Sequence, residues 1–167
     1  KGDGSLTGYN VWKWIDYDNY NYPYAGAGSP DFSTNWIILR YAEIYLNDAE
    51  ARLETGDVEG ARKAVNMIRQ RVGLPDLTES DPEKLRELIR KERRIEFAFE
   101  EQRFYDVRRW KIGPETQTTL HGVRFVSPTE FKVTETDIRT WNDRLYLTPV
   151  PHDEIVRSSV LKQNPGY

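Results

Sequence analysis

The sequence of 167 residues contains no cysteine, a single methionine and two histidines. The absence of cysteine excludes disulfides, thiolate zinc sites and thiol catalysis. No apolar run approaches the roughly 20 residues that a membrane-spanning helix needs. Acidic and basic residues nearly balance at a net charge of −3, so the chain lacks the basic face expected of a nucleic-acid-binding protein. The composition is that of a globular protein, with 13% aromatic residues. The chain is long enough for one domain, which is predicted over 1–167.

Residues 1–35 form a segment rich in aromatic side chains. Alternation over 7–15 predicts a short strand, and the Asp, Asn, Gly and Pro of 16–31 predict a loop. Aromatic side chains in such a loop either pin it to the domain or form a stacking platform for sugar rings. The candidate ligand-binding residues are Trp12, Trp14, Tyr17, Tyr20, Tyr22 and Tyr24. No metal is expected, because the Asp and Asn oxygens of 16–21 lack the glycine and distal glutamate of a calcium loop.

Residues 36–75 are predicted to form a tetratricopeptide-like helical hairpin, in which the Thr-Gly-Asp turn, Ala61 and Pro75 match the second half of such a repeat. The first helix is predicted over 36–55, capped by Ser33 or Thr34, and ended by Gly56. Asp57 is the predicted cap of a second helix over 58–72. The residues predicted to face inward are Ile38, Ala42, Leu46, Ala49 and Leu53 of the first helix, and Ala61, Val65, Ile68 and Val72 of the second.

Residues 76–112 are predicted to be charged helices, the first beginning at Asp81-Pro82 and breaking near Gln102. Its predicted inward face consists of Leu85, Leu88, Glu92, Ile95, Phe99 and Gln102. A carboxylate on that face needs a partner, and arginine suits a buried bidentate pair. The residues of the predicted structural ion-pair network are Glu92, Arg93, Arg94, Arg103, Asp106, Arg108 and Arg109. The alternative, a catalytic or anion-binding site, lacks an adjacent nucleophile or histidine.

Residues 113–167 are predicted to be a loop-rich tail, with short strands over 121–126 and 131–133. Four blocks along the chain resemble the SusD/RagB family of nutrient-binding outer-membrane lipoproteins. They are TGYNVWKWID at 7–16, LRYAEIYLNDAEA at 39–51, ERRIEFAFE followed by RFYDVRRW at 92–110, and the ending YLTPVPHDEIVRSSVLKQNPGY at 146–167.

The resemblance implies a mainly α fold: a tetratricopeptide-like helical hairpin plus further helices, with short strands and long loops. It also implies that the chain is the carboxy-terminal portion of such a protein, whose lipid anchor lies in an amino-terminal part not present here. The implied function is non-catalytic capture of glycans or related nutrients at the outer-membrane surface. The implied partner is a SusC-like TonB-dependent transporter, with no cofactor.

A different class of function stays open beside glycan capture. The chain would then be a helical-repeat scaffold that docks to protein, with the ligand site in the missing amino-terminal part. Exposed aromatic rings in the first segment would favour sugar binding, and inward-packed rings would favour the scaffold. Enzyme activity is not expected, since no pair of carboxylates is singled out for glycoside hydrolysis.

Overall fold

The computed structural model describes residue 11, residues 13–14, and residues 35–116, 119–127 and 129–167. By its contacts the chain divides into two compact units, 15–103, and 1–14 together with 104–167. The helical unit contains α1 (Tyr41–Glu54), α2 (Val58–Arg71), α3 (Pro82–Glu96) and the start of α4 (Gln102–Arg109). The carboxy-terminal unit continues with α5 (Gly113–Thr116), β1 (Thr119–Ser127), β2 (Glu130–Ile138), a 3-10 helix (Asp143–Tyr146) and α6 (His152–Arg157). The predicted mainly α fold with short strands is confirmed.

Helix α1 begins five residues later than the sequence predicts, at Tyr41 rather than Trp36. Its N-cap, Arg40, has extended dihedral angles of φ −147° and ψ 158°. The preceding Ile38, predicted to face inward, is 78% exposed, so that part of the prediction was wrong. The physical reason lies in Arg40, whose side chain is hydrogen-bonded to Glu96, the last residue of α3, and to Glu100 in the turn that follows. Ser33 and Thr34, the predicted caps, lie outside the described residues.

Helices α1 and α2 form the predicted antiparallel hairpin, and α3 packs against both. Gly56 ends the first helix with φ +89°, a left-handed conformation that glycine adopts without steric cost. Asp57 caps α2 by accepting the backbone N–H of Gly60 at 2.8 Å. Val72 is exposed rather than inward because α2 ends at Arg71, which leaves Val72 as the C-cap.

Helix α3 begins as predicted, with the Asp81 side chain accepting the N–H of Lys84 at 2.9 Å. It ends at Glu96, earlier than the predicted break near Gln102. Residues 97–101 form a turn in which Phe99 and Glu101 both have φ +63°. The predicted inward face is wrong at Ile95, which lies in the last turn of α3 and is exposed, and at Phe99, which lies in the turn after the helix and is also exposed. At this end of α3 the buried side chains are those of Arg93 and Phe97 instead.

The core of the helical unit is made of apolar side chains from all three long helices. Its buried members are Ala42, Leu46, Ala49, Leu53, Ala61, Ala64, Val65, Ile68, Leu85, Ile89 and Phe97. The connection between α2 and α3 is tied to it by Asn66, whose side chain exchanges two hydrogen bonds with the backbone of Leu77, at 2.8 and 3.2 Å. The alanines allow the close approach of α1 and α2.

The carboxy-terminal unit contains an antiparallel hairpin whose strands are longer than the sequence predicts. Val123 pairs with Val133, and Phe125 with Phe131, whose ring centroids lie 6.4 Å apart. Every residue of β2 is exposed. Close to the end of α4, the indole of Trp141 covers Gly113 so tightly that a Cβ there would lie 2.1 Å from it. The glycine therefore permits this approach.

Candidate functional site

The aromatic residues proposed for ligand binding lie largely outside the described part of the chain. Trp14 is described and is partly buried. The others, Trp12, Tyr17, Tyr20, Tyr22 and Tyr24, lie outside the described residues. Their role as a stacking platform therefore stays a prediction.

Glu92 is buried in the helical unit and forms an ion pair with Arg69, whose Nη1 lies 2.7 Å from the carboxylate. The Nε of Arg69 also donates to the carbonyl of Pro75 at 2.9 Å. The partner comes from the last turn of α2, not from the arginines around Glu92. The sequence did contain a signal for this partner. Arg69 stands next to Ile68, a residue of the buried face of α2, in the last turn of that helix, and α2 packs against α3.

A second arginine, Arg40, joins the residue before α1 to the turn that follows α3. Its Nε donates to Glu100 at 2.7 Å, and its Nη2 donates to Glu100 at 3.0 Å and to the carbonyl of Glu96 at 2.8 Å. Its Nη1 contacts the Glu96 carboxylate, and its guanidinium lies 4.6 Å from the Phe97 ring centroid. Burial acts to lower the pKa of Arg40, but its hydrogen bonds to Glu100 and Glu96 outweigh this, so the pKa is raised.

The Glu96 carboxylate is shared with Arg71, whose Nη2 lies 2.7 and 2.9 Å from its oxygens. Arg93, from the predicted ion-pair set, is buried and donates to Asn47 Oδ1 at 2.7 Å. Arg94 is exposed and Arg103 is partly buried. These contacts join α1, α2 and α3 into one polar cluster around Phe97.

The other three residues of that set lie in the carboxy-terminal unit. Asp106 is buried and accepts from the Nε of Arg109 at 2.9 Å. Arg108 lies over the ring of Phe104, 3.4 Å from its centroid, and donates to that residue's carbonyl at 2.9 Å. These contacts join residues three or four apart and therefore stabilise α4 itself.

A cavity of about 580 Å³ lies in the carboxy-terminal unit, and the sequence did not point to it. Its lining residues are Lys111, Asn142, Asp143, Arg144, Tyr146, Leu147, Pro165 and Gly166. The Tyr146 ring lies 4.8 Å from that of Trp141, and its hydroxyl accepts the Gly113 N–H at 3.2 Å. The lining comes from three separated segments, so no local pattern marks the site.

Two observations describe the polar chemistry of the described residues. Within residues 35–116, 119–127 and 129–167, no group of three or more His, Asp and Glu side chains could hold a metal ion. The buried carboxylates of Glu92, Glu100 and Asp106 each form an ion pair with an arginine. None of the helices in the described part of the chain has the length and hydropathy needed to cross a membrane.

Comparison with known proteins agrees with the four sequence blocks. The sequence model of the SusD family matches residues 1–167. The chain belongs to the SusD family. The resemblance inferred from the sequence is thus confirmed.

Solved structures of SusD-family members share this fold. A SusD-like protein of Bacteroides fragilis NCTC 9343 is 97% identical over the whole chain, with a TM-score of 0.91. A SusD-like carbohydrate-binding protein of the same strain is 30% identical over 70% of the chain, with a TM-score of 0.58. These two matches cover 32% and 26% of the solved chains. The curated SusD-like protein P2 of Formosa agariphila is 38% identical over 86% of this chain, which covers 28% of that relative. The chain therefore spans about a third, or less, of the length of these relatives.

Proposed function

We propose that this chain is part of a SusD-family protein that captures glycans without converting them. The observation that carries the proposal is the family match over residues 1–167, together with the shared fold of a carbohydrate-binding relative. In this proposal the whole protein sits at the outer-membrane surface through a lipid anchor. It passes its ligand to a SusC-like TonB-dependent transporter.

Within this chain, the proposed contacts to the glycan are made by Trp12, Trp14, Tyr17, Tyr20, Tyr22 and Tyr24. Flat aromatic rings give a large contact area and lose little conformational entropy on binding. Their density between residues 12 and 24 is the feature of the sequence that supports this role. The pairing of Glu92 and Asp106 with arginines supports a structural role for these buried carboxylates, because each is already engaged in an ion pair within its own unit.

The test is calorimetric titration of the full-length protein with glycans that it retains on an array, repeated with Tyr20→Ala and Tyr22→Ala. Each substitution is expected to weaken binding because it removes a stacking surface. Tyr105→Ala is the matched control, since Tyr105 is an exposed tyrosine on α4, outside the aromatic segment. Affinity that is the same in all four proteins would refute the role of Tyr20 and Tyr22.

A second candidate, a scaffold that docks to protein, is favoured by one observation. The apolar side chains of Ile37, Ile38, Leu39 and Ile44 are exposed before and along α1. Contiguous exposed apolar surface is one mark of a protein–protein interface. In cross-linking of the full-length protein with its transporter, Ile38→Glu and Ile44→Glu are expected to abolish the cross-link if this candidate is correct. An unchanged cross-link would refute it.

A further inference from the structure

We propose that the cavity of the carboxy-terminal unit binds an anionic saccharide, one that carries a carboxylate or a sulfate group. This inference rests on the proposed function, because it takes the ligand to be a glycan. It adds to that proposal a binding site on this chain and a negative charge on the ligand. The place is distinct from the aromatic segment of residues 12–24.

The size and lining of the cavity suit a sugar. Its volume of about 580 Å³ lies within the range of roughly 300–1,000 Å³ typical of small-molecule sites. Tyr146, Leu147 and Pro165 supply apolar surface for the C–H face of a sugar ring. Asn142 and Asp143 supply planar polar groups of the kind that bind hydroxyls. Such a mixture of apolar wall and few polar groups is the usual pattern of a binding pocket.

Two parts of the lining are held by contacts within the unit. Tyr146 is held by the Trp141 ring and by the N–H of Gly113. Gly166, at φ +90°, approaches Arg144 so closely that a Cβ there would lie 2.8 Å from that of Arg144. Side chains held in this way lose little freedom on binding, which favours affinity.

The charges in the lining point to an anion. Lys111 and Arg144 line the cavity, and among the described residues of the lining Asp143 is the single acidic one. In the part of the chain that the structure describes, neither cation forms an ion pair, unlike Arg40, Arg69 and Arg109. Lys111 follows α4 in a left-handed conformation, with φ +54°, because the N–H of Ile112 donates to the carbonyl of Val107 and closes the helix end.

Arg144 lies beside an aromatic ring of the same unit. Its guanidinium lies 5.4 Å from the ring centroid of Tyr167, which orients the planar group. A guanidinium matches a carboxylate or sulfate through two parallel hydrogen bonds, whereas a lysine ammonium acts as a point charge. Together the two side chains would bind one acidic group, while Asn142 and Asp143 contact the neutral part of the ring.

The experiment is calorimetric titration of the full-length protein with oligogalacturonate, dextran sulfate oligosaccharides and neutral dextran oligosaccharides. The first two separate a carboxylate ligand from a sulfate ligand, and the third carries no charge. Lys111→Asn and Arg144→Gln remove the charges, and asparagine tolerates the left-handed conformation of Lys111. Lys132→Gln is the matched control, because Lys132 is an exposed cation on β2 that does not line the cavity.

The expected result is binding of at least one acidic oligosaccharide and none of dextran. Each cavity variant is expected to weaken that binding about tenfold, as the loss of a charge-assisted hydrogen bond would. Arg144→Lys, which keeps the charge, should retain an intermediate affinity. Far-UV circular dichroism identical to that of the parent protein would show that the variants are folded.

Three results would overturn the inference. Equal affinity for dextran and the acidic oligosaccharides would remove the charge preference. Unchanged acidic binding in both cavity variants would place the site elsewhere while leaving glycan capture intact. An equal loss in Lys132→Gln would show general charge attraction. Binding of no glycan on an array would instead refute the proposed function itself, and the inference with it.

Discussion

The pair between Glu92 and Arg69 allows a quantitative test of the packing between α2 and α3. Their side chains are 10% and 17% exposed, and the N–O distance is 2.7 Å. Breaking a buried ion pair from one side costs about 3–5 kcal/mol, because the remaining charge stays buried without its partner. Glu92→Leu should cost about 3 kcal/mol, the lower end of that range, since Arg69 retains Pro75 as an acceptor and some contact with water.

For a chain of this size, about 3 kcal/mol corresponds to a fall in melting temperature of roughly 6–12 °C. Urea unfolding followed by circular dichroism at 222 nm measures the same quantity as a free energy. The double variant Glu92→Leu with Arg69→Met should recover much of the loss, because it removes both buried charges together.

The matched control is the pair Lys63–Glu59, which has the same N–O distance of 2.7 Å but side chains that are 75% and 66% exposed. Glu59→Ala is expected to leave the melting temperature within error, because exposed pairs contribute little. If Glu92→Leu proved as harmless as Glu59→Ala, burial would not be the source of the cost. A double variant less stable than either single variant would also contradict the argument.

Two further predictions concern a helix cap and a packed glycine. The N–H of Gly60 and the guanidinium of Arg52 lower the pKa of the Asp57 carboxyl. The charged carboxylate therefore stabilises the folded protein at pH values above the ordinary aspartate pKa of about 3.9. This stabilisation is lost as the pH falls through the lowered pKa of the folded state. Melting of Asp57→Asn against pH should therefore show a deficit at pH 7 that narrows in acid; a constant deficit would refute the role of the charge. Gly113→Ala should cost about 1–3 kcal/mol, because its methyl group displaces Trp141, and near-UV circular dichroism would report the change. If Gly113→Ala left both the near-UV spectrum and the melting temperature unchanged, the displacement of Trp141 would be refuted.

The second helix was predictable because its signals are local. Gly56 and Asp57 stand next to each other, so a left-handed stop and a cap can be recognised within a few residues of sequence. The start of α1 was not predictable in this way. Arg40 takes part in contacts 56 and 60 residues downstream, and no window around it contains that information.

The end of α3 was missed for a related reason. Phe99 and Glu101 adopt left-handed dihedral angles without being glycine, so composition does not mark the turn. The burial of Glu92 was predicted from spacing alone, yet its partner Arg69 depended on how two helices pack. The cavity was even less predictable from the sequence, because it is lined by residues as far apart as Lys111 and Gly166. What the sequence provided directly was the family, through blocks spread along the chain.

The contacts of Arg40 have a consequence for how the chain acquires its structure during synthesis. The hairpin of α1 and α2 is joined by a short turn and can form from local contacts as soon as both helices have left the ribosome. Arg40 finds Glu100 only after 60 more residues have been made. Until then the guanidinium of Arg40 is hydrated, and the contacts that fix the residue before α1 cannot form. We therefore expect the start of the first helix to become ordered only when the turn after the third helix has been made.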